Sequence, residues 1–388
     1  MSDSDDRLDL IVIGGGVMGL FTAYHASADG RRVAVLEKGT IGDPMTASFG
    51  RTRSYRVDYL DPLYVRLAGE AITLWDAFER ETGTRALVRC GCMNIASSSV
   101  TPDLADTYAA RSTDVMAGLG VGPEVLTPTQ IARRFPYLRA DLAHLDPSAG
   151  LADLHTVAET LLSTLAARGV EVREGVAVTG IVADGDGVRV TTDAGELSAA
   201  SLVVTAGHGT NDVLALVDGV DLRVPITRDR PSEAKYFTPP DAVREQFTSE
   251  HMPVIAYLDT GVYVHPIVEG VIDRVKVGYY NPPDIPRDRT GVSDIADFVA
   301  QVMPGLVGAT VEDVADTDGC DYDLVADDHF VRGAVPGAER VYVGVGWRGT
   351  GYKFAPWVGR TLADLVAGAA ARHPEFDPAR FVTASVGG

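Results

Sequence analysis

The chain has 388 residues, 46% of them hydrophobic and 23% charged, with 54 acidic side chains against 34 basic ones and a formal net charge of -20. That length suffices for two domains and a sizeable core, and so acidic a surface repels nucleic acid and anionic membranes, which excludes both as partners. Met1 to Arg7 is too short and polar for a secretory signal, and no apolar run reaches the roughly 18 residues of a membrane span, so a soluble cytoplasmic protein is expected.

Residues 9–13 form a continuous apolar strand. Val17 to Asp29 has a helical pattern, and Val33 to Glu37 is a second buried strand. Strand, glycine turn, helix and strand within about 30 residues open a doubly wound sheet. Tyr64 to Glu81 again has helical spacing, and a mixed, strand-rich stretch follows from Ala86. His155 to Arg168 is helical in pattern, and Val170 to Val172 is a strand. Val176 to Ile181, Val188 to Thr192 and Gly195 to Leu197 form a small meander with Asp-Gly turns. Leu202 to Gly207 is a separate buried strand ending in glycine. Alternating strands run from Val224 to Tyr280, with turns at Pro239-Pro240 and Pro282-Pro283. Val341 to Gly346 is a last buried strand, and Val358 to Gly368 the helix after it. Nucleotide-binding segments thus recur at the start, middle and end, with β-rich material between them. A cofactor domain interrupted twice by a substrate domain follows.

Gly14, Gly16 and Gly19 fit a phosphate-binding turn. The first permits the tight turn, the second lets backbone approach a pyrophosphate at the helix N-terminus, and the third lets helix lie close on strand. Glu37 ends the second strand, 18 residues after Gly19, where a carboxylate accepts hydrogen bonds from an adenosine ribose. This fingerprint does not separate FAD from NAD. The three cysteines, Cys90, Cys92 and Cys320, are no disulfide framework. Cys90-Gly91-Cys92 has no second Cys or His pair to complete a metal site, so it reads as two small hydrophobes on a strand. No metal is expected.

Six segments, in this order, resemble the monomeric sarcosine oxidase and N-methyltryptophan oxidase family, within the D-amino-acid-oxidase-like FAD superfamily. They are Ile11 to Gly19, Glu37-Lys38, Gly50 to Arg56, Lys276 to Tyr279, Gly319 to Tyr322, and Gly349 to Phe354. The resemblance covers nearly the whole chain. It implies an α/β plus β-rich protein: a Rossmann-like FAD-binding domain and a mostly antiparallel-sheet substrate domain, both discontinuous in sequence. Residues 1–83, 150–222 and 318–388 are assigned to the first, and 84–149 and 223–317 to the second. It further implies an oxidase of a secondary or cyclic amino acid that yields an imine and passes electrons to oxygen, giving peroxide. The expected partners are that substrate and O2 alone, for a monomer or weak dimer. Two other readings share the cofactor motifs: a dehydrogenase serving a partner protein, and a flavin-bound module without turnover. A specialised biosynthetic oxidase of a bulkier or dicarboxylic imino acid is a further variant.

By the same resemblance Cys320 links covalently to the flavin, although on residue type alone it reads as a buried, inert thiol. Arg56 and Lys353 hold the substrate carboxylate, a task suited to one guanidinium and one ammonium; without the motif both read as surface ion-pairing residues. Arg53 lies beside the flavin ring. Lys276 lies over it and assists oxygen, because a fixed ammonium stabilises developing negative charge; otherwise Lys276 faces solvent on an alternating strand. The remaining cofactor contacts implied are Gly14, Gly16, Val17, Met18, Gly19, Glu37, Lys38, Ser48, Gly50, Arg51, Thr52, Val178, Gly207, Gly346, Arg348, Gly349 and Gly351, with Lys353 shared. Three departures concern the substrate: Tyr280 where the family commonly has histidine, Tyr263-Val264-His265 where it has an aromatic pair, and Trp347-Arg348 where it has smaller, uncharged residues. Arg348 either binds a second acidic group or faces solvent. His329 reads as a hydrogen-bonded structural residue.

Overall fold

In a computed structural model of the protein, residues 7–44, 46–229, 234–279, 294–313 and 322–382 are described. The chain divides into two compact units: Met1–Phe49, Ala158–Arg230 and Cys320–Gly388 form one, and Gly50–Val157 and Pro231–Gly319 the other. Residues 50–83 therefore belong to the second unit.

The first unit is built on parallel strands in the order Val341–Val345, Gly195–Val204, Leu8–Ile13, Val33–Leu36 and Glu171–Arg173. Val331–Ala334 adds an antiparallel neighbour to Val341–Val345. Leu10 to Val12 and Val33 to Leu36 are buried without interruption, as strands covered on both faces require. Ile11, Ile13, Ala34, Leu36, Leu202 and Val204 share a core with Ile181, Val188, Val190 and Leu197 of the meander. Alternation turns Leu10, Val12, Val33 and Val35 to the opposite face, where helix Val17–Ala28 packs on the sheet and on helix Ala355–Val366. Meander, parallel sheet and helices make three layers.

The sequence reading of the meander needs one correction. Gly195 to Leu197 and Leu202 to Gly207 are not two strands; Gly195–Val204 is one strand of 10 residues. Ser198 to Ser201 reads as a break because its serines and alanines are small and are not strong strand formers. Ala199 nevertheless pairs with Val188 of the meander and with Leu8 of the parallel sheet, so the strand passes from one sheet partner to the other without stopping.

The second unit holds an eight-stranded sheet in the order Thr310–Asp313, Ala234–Thr238, Val275–Tyr279, Val262–His265, Val254–Tyr257, Cys92–Ala96, Leu142–Asp146 and Glu124–Leu126. All its neighbours are antiparallel except Val254–Tyr257 beside Cys92–Ala96. One face is apolar: Met93, Ile95, Ala143, Ile255, Val264, Val275 and Val277 cluster with Phe298 and Val299 of helix Ile295–Val302. Alternation places Asn94, His144, Asp146, His265 and Lys276 on the other face, and all five are buried. A buried polar sheet face is costly unless its groups are satisfied. A three-stranded sheet of Thr52–Tyr55, Gly150–Asp153 and Leu87–Val88 completes the strands.

The stretch after Ala86, read as strand-rich, also contains helices Tyr108–Gly118 and Pro128–Arg134, each started by a threonine cap; Thr127 and Gln130 form a capping box. The pair Pro282-Pro283 and Tyr280 lie outside the described residues. Cys92 is a buried strand residue as expected, whereas Cys90 precedes the strand. Burial pushes the Cys90 thiol up to about 11. Among the described residues no group of acidic, His and Cys side chains could hold a metal, and no helix is long and apolar enough to cross a membrane.

Candidate active site

In the first unit the candidate residues gather beyond the carboxyl ends of the parallel strands, where open α/β sheets bind ligands. Gly14 follows Leu8–Ile13, Glu37 follows Val33–Leu36, Gly207 follows Gly195–Val204 and Gly346 follows Val341–Val345. Gly14 has φ of +107°, and a Cβ there would stand 2.5 Å from the Thr205 carbonyl oxygen. Gly16 is the N-cap of helix Val17–Ala28 and offers no side chain; the first turn holds no acid. The positive end of this helix is thus left to an anion. Ser48 Oγ accepts from the Val17 N–H at 2.9 Å. Glu37 accepts from the Gly15 N–H at 2.7 Å and the Gly39 N–H at 2.9 Å. Each of its oxygens retains a lone pair for a hydroxyl. Lys38 is exposed, with its Nζ near Gly209. Val178 begins the meander, two residues after Val176, whose N–H donates to the Glu37 carbonyl at 3.0 Å. These groups suit a pyrophosphate followed by a ribose, so the residues present fit FAD.

The turn Gly346 to Lys353 meets this cradle directly. A Cβ on Gly351 would stand 3.1 Å from the Met18 Cε. Gly346, Arg348 and Gly349 all have positive φ. The turn is pinned by Asp323, on strand Tyr322–Val325, which accepts from the Gly346 N–H at 2.9 Å and the Trp347 N–H at 3.0 Å. Phe330 supports it beneath, with its ring 5.3 Å from Trp347 and 5.2 Å from Phe354. Lys353 is buried rather than a surface ion-pairing residue, and its Nζ donates to Thr350 Oγ1 at 2.6 Å. Arg348 is 8% exposed, which removes the solvent-facing alternative; its Nε stands 3.9 Å from Asp328 Oδ1. The His329 ring lies 6.0 Å from that of Phe376. Gly319 and Cys320 lie outside the described residues.

Asp323 was not singled out from the sequence. Burial raises its carboxyl to about 6, against the opposing effect of the Gly346 and Trp347 amides. A folded value above the unfolded one gives stability that is full below about pH 4 and lost as pH rises through 6. The difference amounts to about 3 kcal/mol by pH 8. Unfolding free energies of the parent and Asp323→Asn, measured at pH 4 and pH 8, should therefore converge or cross in the variant's favour at pH 8. A gap that stays constant between the two pH values contradicts this.

In the second unit, strand Thr52–Tyr55 carries the next group. Thr52 Oγ1 lies 2.8 Å from His265 Nδ1, and His265 is the cross-strand partner of Lys276. Lys276 is 1% exposed, so it does not face solvent; its Nζ stands 5.6 Å from the centre of the Tyr263 ring. A Cβ on Gly278 would collide with Tyr263, so the glycine admits that ring beside the ammonium. Arg53 is half-buried and donates to the Thr52 carbonyl at 3.1 Å. Gly50 has φ of +114°. Arg51 donates to the Val271 carbonyl at 3.1 Å and contacts His155.

Arg56 is 5% exposed and forms an ion pair, but a buried one: Nη1 stands 2.7 Å from Asp58 Oδ1. Burial alone would raise the Asp58 carboxyl, yet the Arg56 guanidinium and His144 hold it well below the usual carboxylate range. Asp58, Asn94 and His144 were not read from the sequence. The one local signal was an acid two residues after Arg56, flanked by Val57 and Tyr59.

Residues 9–365 match the family described as FAD dependent oxidoreductase (DAO). The chain is 30% identical to the monomeric sarcosine oxidase of Streptomyces avermitilis, over 97% of this chain and 98% of the relative. It is 28% identical to the N-methyl-L-tryptophan oxidase of Yersinia pestis, over 92% and 94%. Among solved structures, it resembles NikD, described as an unusual amino acid oxidase essential for nikkomycin biosynthesis, with a TM-score of 0.74, 26% identity and coverage of 96% and 97%.

Proposed function

The chain belongs to the FAD dependent oxidoreductase family, and on that premise we propose that it oxidises a secondary or cyclic amino acid to an imine while oxygen is reduced to hydrogen peroxide. The names of its relatives, oxidases of sarcosine and of N-methyl-L-tryptophan, support that substrate class. The observation that carries most weight is the burial of three motif cations: Lys276, Arg56 and Lys353 are 1%, 5% and 7% exposed. Buried charge is costly and is kept where its position is used. Asp58 balances Arg56 within the fold, Thr350 holds the Lys353 ammonium, and Lys276 lies on the buried polar sheet face. This supports assigning Arg56 and Lys353 to a substrate carboxylate and Lys276 to oxygen.

FAD, when bound, accepts an electron pair from the carbon next to the amine nitrogen and returns it to oxygen. The helix terminus at Gly16, Val17 and Met18 holds its pyrophosphate, and Glu37 its ribose. Lys38, Ser48, Gly50, Arg51, Thr52, Val178, Gly207, Gly346, Arg348, Gly349 and Gly351 complete the binding surface in this reading. Arg56 takes the substrate carboxylate through its planar fork, and Lys353 is assigned the complementary point charge. Arg53 supplies positive charge for the reduced ring. Lys276 stabilises negative charge arising on oxygen. Cys320 is assigned the covalent link to the flavin; acid-precipitated protein then keeps its colour, and colour left wholly in the supernatant removes the link.

An oxygen electrode with peroxide detection tests the reaction. Oxygen uptake matched by peroxide, on addition of an N-methyl or cyclic amino acid, is expected. Reduction of a dye by the same amino acid without oxygen uptake contradicts the oxidase.

A further inference from the structure

We propose that Asp58 is a positioning residue for the substrate carboxylate, held by Asn94 and His144 so that it fixes the plane of the Arg56 guanidinium. This rests on the reading of Arg56 as the carboxylate site.

The geometry lies wholly within the second unit. Arg56 Nη1 donates both to Asp58 Oδ1, at 2.7 Å, and to the Asp58 carbonyl. Two bonds from one nitrogen of a planar, rigid fork fix the orientation of its other donors. The Tyr59 ring lies 4.8 Å from the guanidinium carbon and restrains it further. Asp58 is itself held: Asn94 Nδ2 donates to Oδ2 at 2.9 Å, and His144 Nε2 stands 3.6 Å from the same oxygen. His144 is anchored in turn, with Nδ1 at 2.7 Å from Thr113 Oγ1 and 3.1 Å from the Ala109 carbonyl. Asn94 and His144 are cross-strand partners on the buried polar face of the sheet. The chain Arg56, Asp58, His144, Thr113 therefore ties the cation to a sheet and a helix.

Charge and position make opposite predictions, which makes the role testable. Were Asp58 only a counter-charge, its neutralisation would strengthen carboxylate binding. As a positioning residue, its loss weakens binding. Asp58→Asn has the same shape, but its single amide oxygen cannot accept from both Arg56 and Asn94, and its NH2 meets the Asn94 donor.

The test is anaerobic flavin reduction of the holoenzyme by N-methyl and cyclic amino acids and by their uncharged methylamides. For Asp58→Asn the apparent Kd of the amino acid is expected to rise about tenfold, by loss of preorganisation. The limiting reduction rate and the methylamide Kd should stay within about threefold. An unchanged or lower Kd overturns the proposal, and so does an equal loss for acid and methylamide, which marks a merely structural role. Should Asp58→Asn not fold, Asn94→Ala carries the same test with a smaller rise, and no rise there overturns it. Arg56→Lys separates the two claims. If it leaves the amino-acid Kd unchanged, the carboxylate reading itself fails. If it raises the Kd while Asp58→Asn does not, only the role of Asp58 fails.

Discussion

Replacing Lys276 by methionine is expected to slow reoxidation of the reduced enzyme by oxygen by about 100-fold or more, the size of effect seen when one preorganised electrostatic group is removed. Flavin reduction by substrate should change far less, by about threefold at most. The physical basis is the site of the ammonium. Lys276 lies on the buried polar face of the sheet, against the Tyr263 ring and across from His265. Methionine has similar length and no charge, so packing is retained while the field is lost. Stopped-flow mixing of the reduced enzyme with oxygenated buffer measures the effect. Equal reoxidation rates in the variant and the parent remove the role assigned to Lys276.

Gly19→Ala is expected to give protein that no longer retains FAD. The residue lies in helix Val17–Ala28, and its backbone is not in the left-handed region, so the obstacle is space alone. A Cβ there would collide with the Gly14 carbonyl oxygen and stand 2.8 Å from Thr205 Oγ1. Backbone cannot move aside as a flexible side chain can, so the helix must lift from the turn that precedes it. Overpacking of this kind costs about 1–3 kcal/mol or more, and the shift falls on the residues that form the proposed pyrophosphate cradle. Gly69→Ala is the control. It sits on the exposed side of helix Pro62–Thr82 with nothing within 4 Å of its would-be Cβ. It should bind flavin normally and gain up to about 1 kcal/mol of stability. Flavin-to-protein absorbance ratios of the two purified variants decide the matter; full occupancy in Gly19→Ala contradicts the packing argument.

The parts legible in the sequence were those whose chemistry is local. Gly14, Gly16, Gly19 and Glu37 sit within one strand, turn, helix and strand, so spacing alone located the glycine turn at the head of helix Val17–Ala28. The parts that escaped are those that tertiary contact creates. Alternation along Val275–Tyr279 is equally consistent with a solvent-facing and a buried Lys276; only the covering of the second sheet face distinguishes them. Asp58 and Asn94 meet across 36 positions of sequence, and no local pattern records such a pairing. Asp323 binds the turn 23 and 24 residues ahead of it for the same reason. Arg348 was left open between solvent and a ligand because a positive-φ arginine in a buried turn has no sequence signature. The long strand Gly195–Val204 was split because Ser198 to Ser201 is made of small residues of low strand preference, which tertiary pairing overrides.

The most direct test of the assigned chemistry is to mix the purified holoenzyme, without oxygen, with sarcosine, other N-methyl amino acids, proline and pipecolate, and to follow the flavin absorbance. The expected result is bleaching by at least one of them, reversed on admitting air with formation of peroxide. Flavin that none of these amines bleaches, in protein fully loaded with FAD, contradicts an oxidase of secondary or cyclic amino acids.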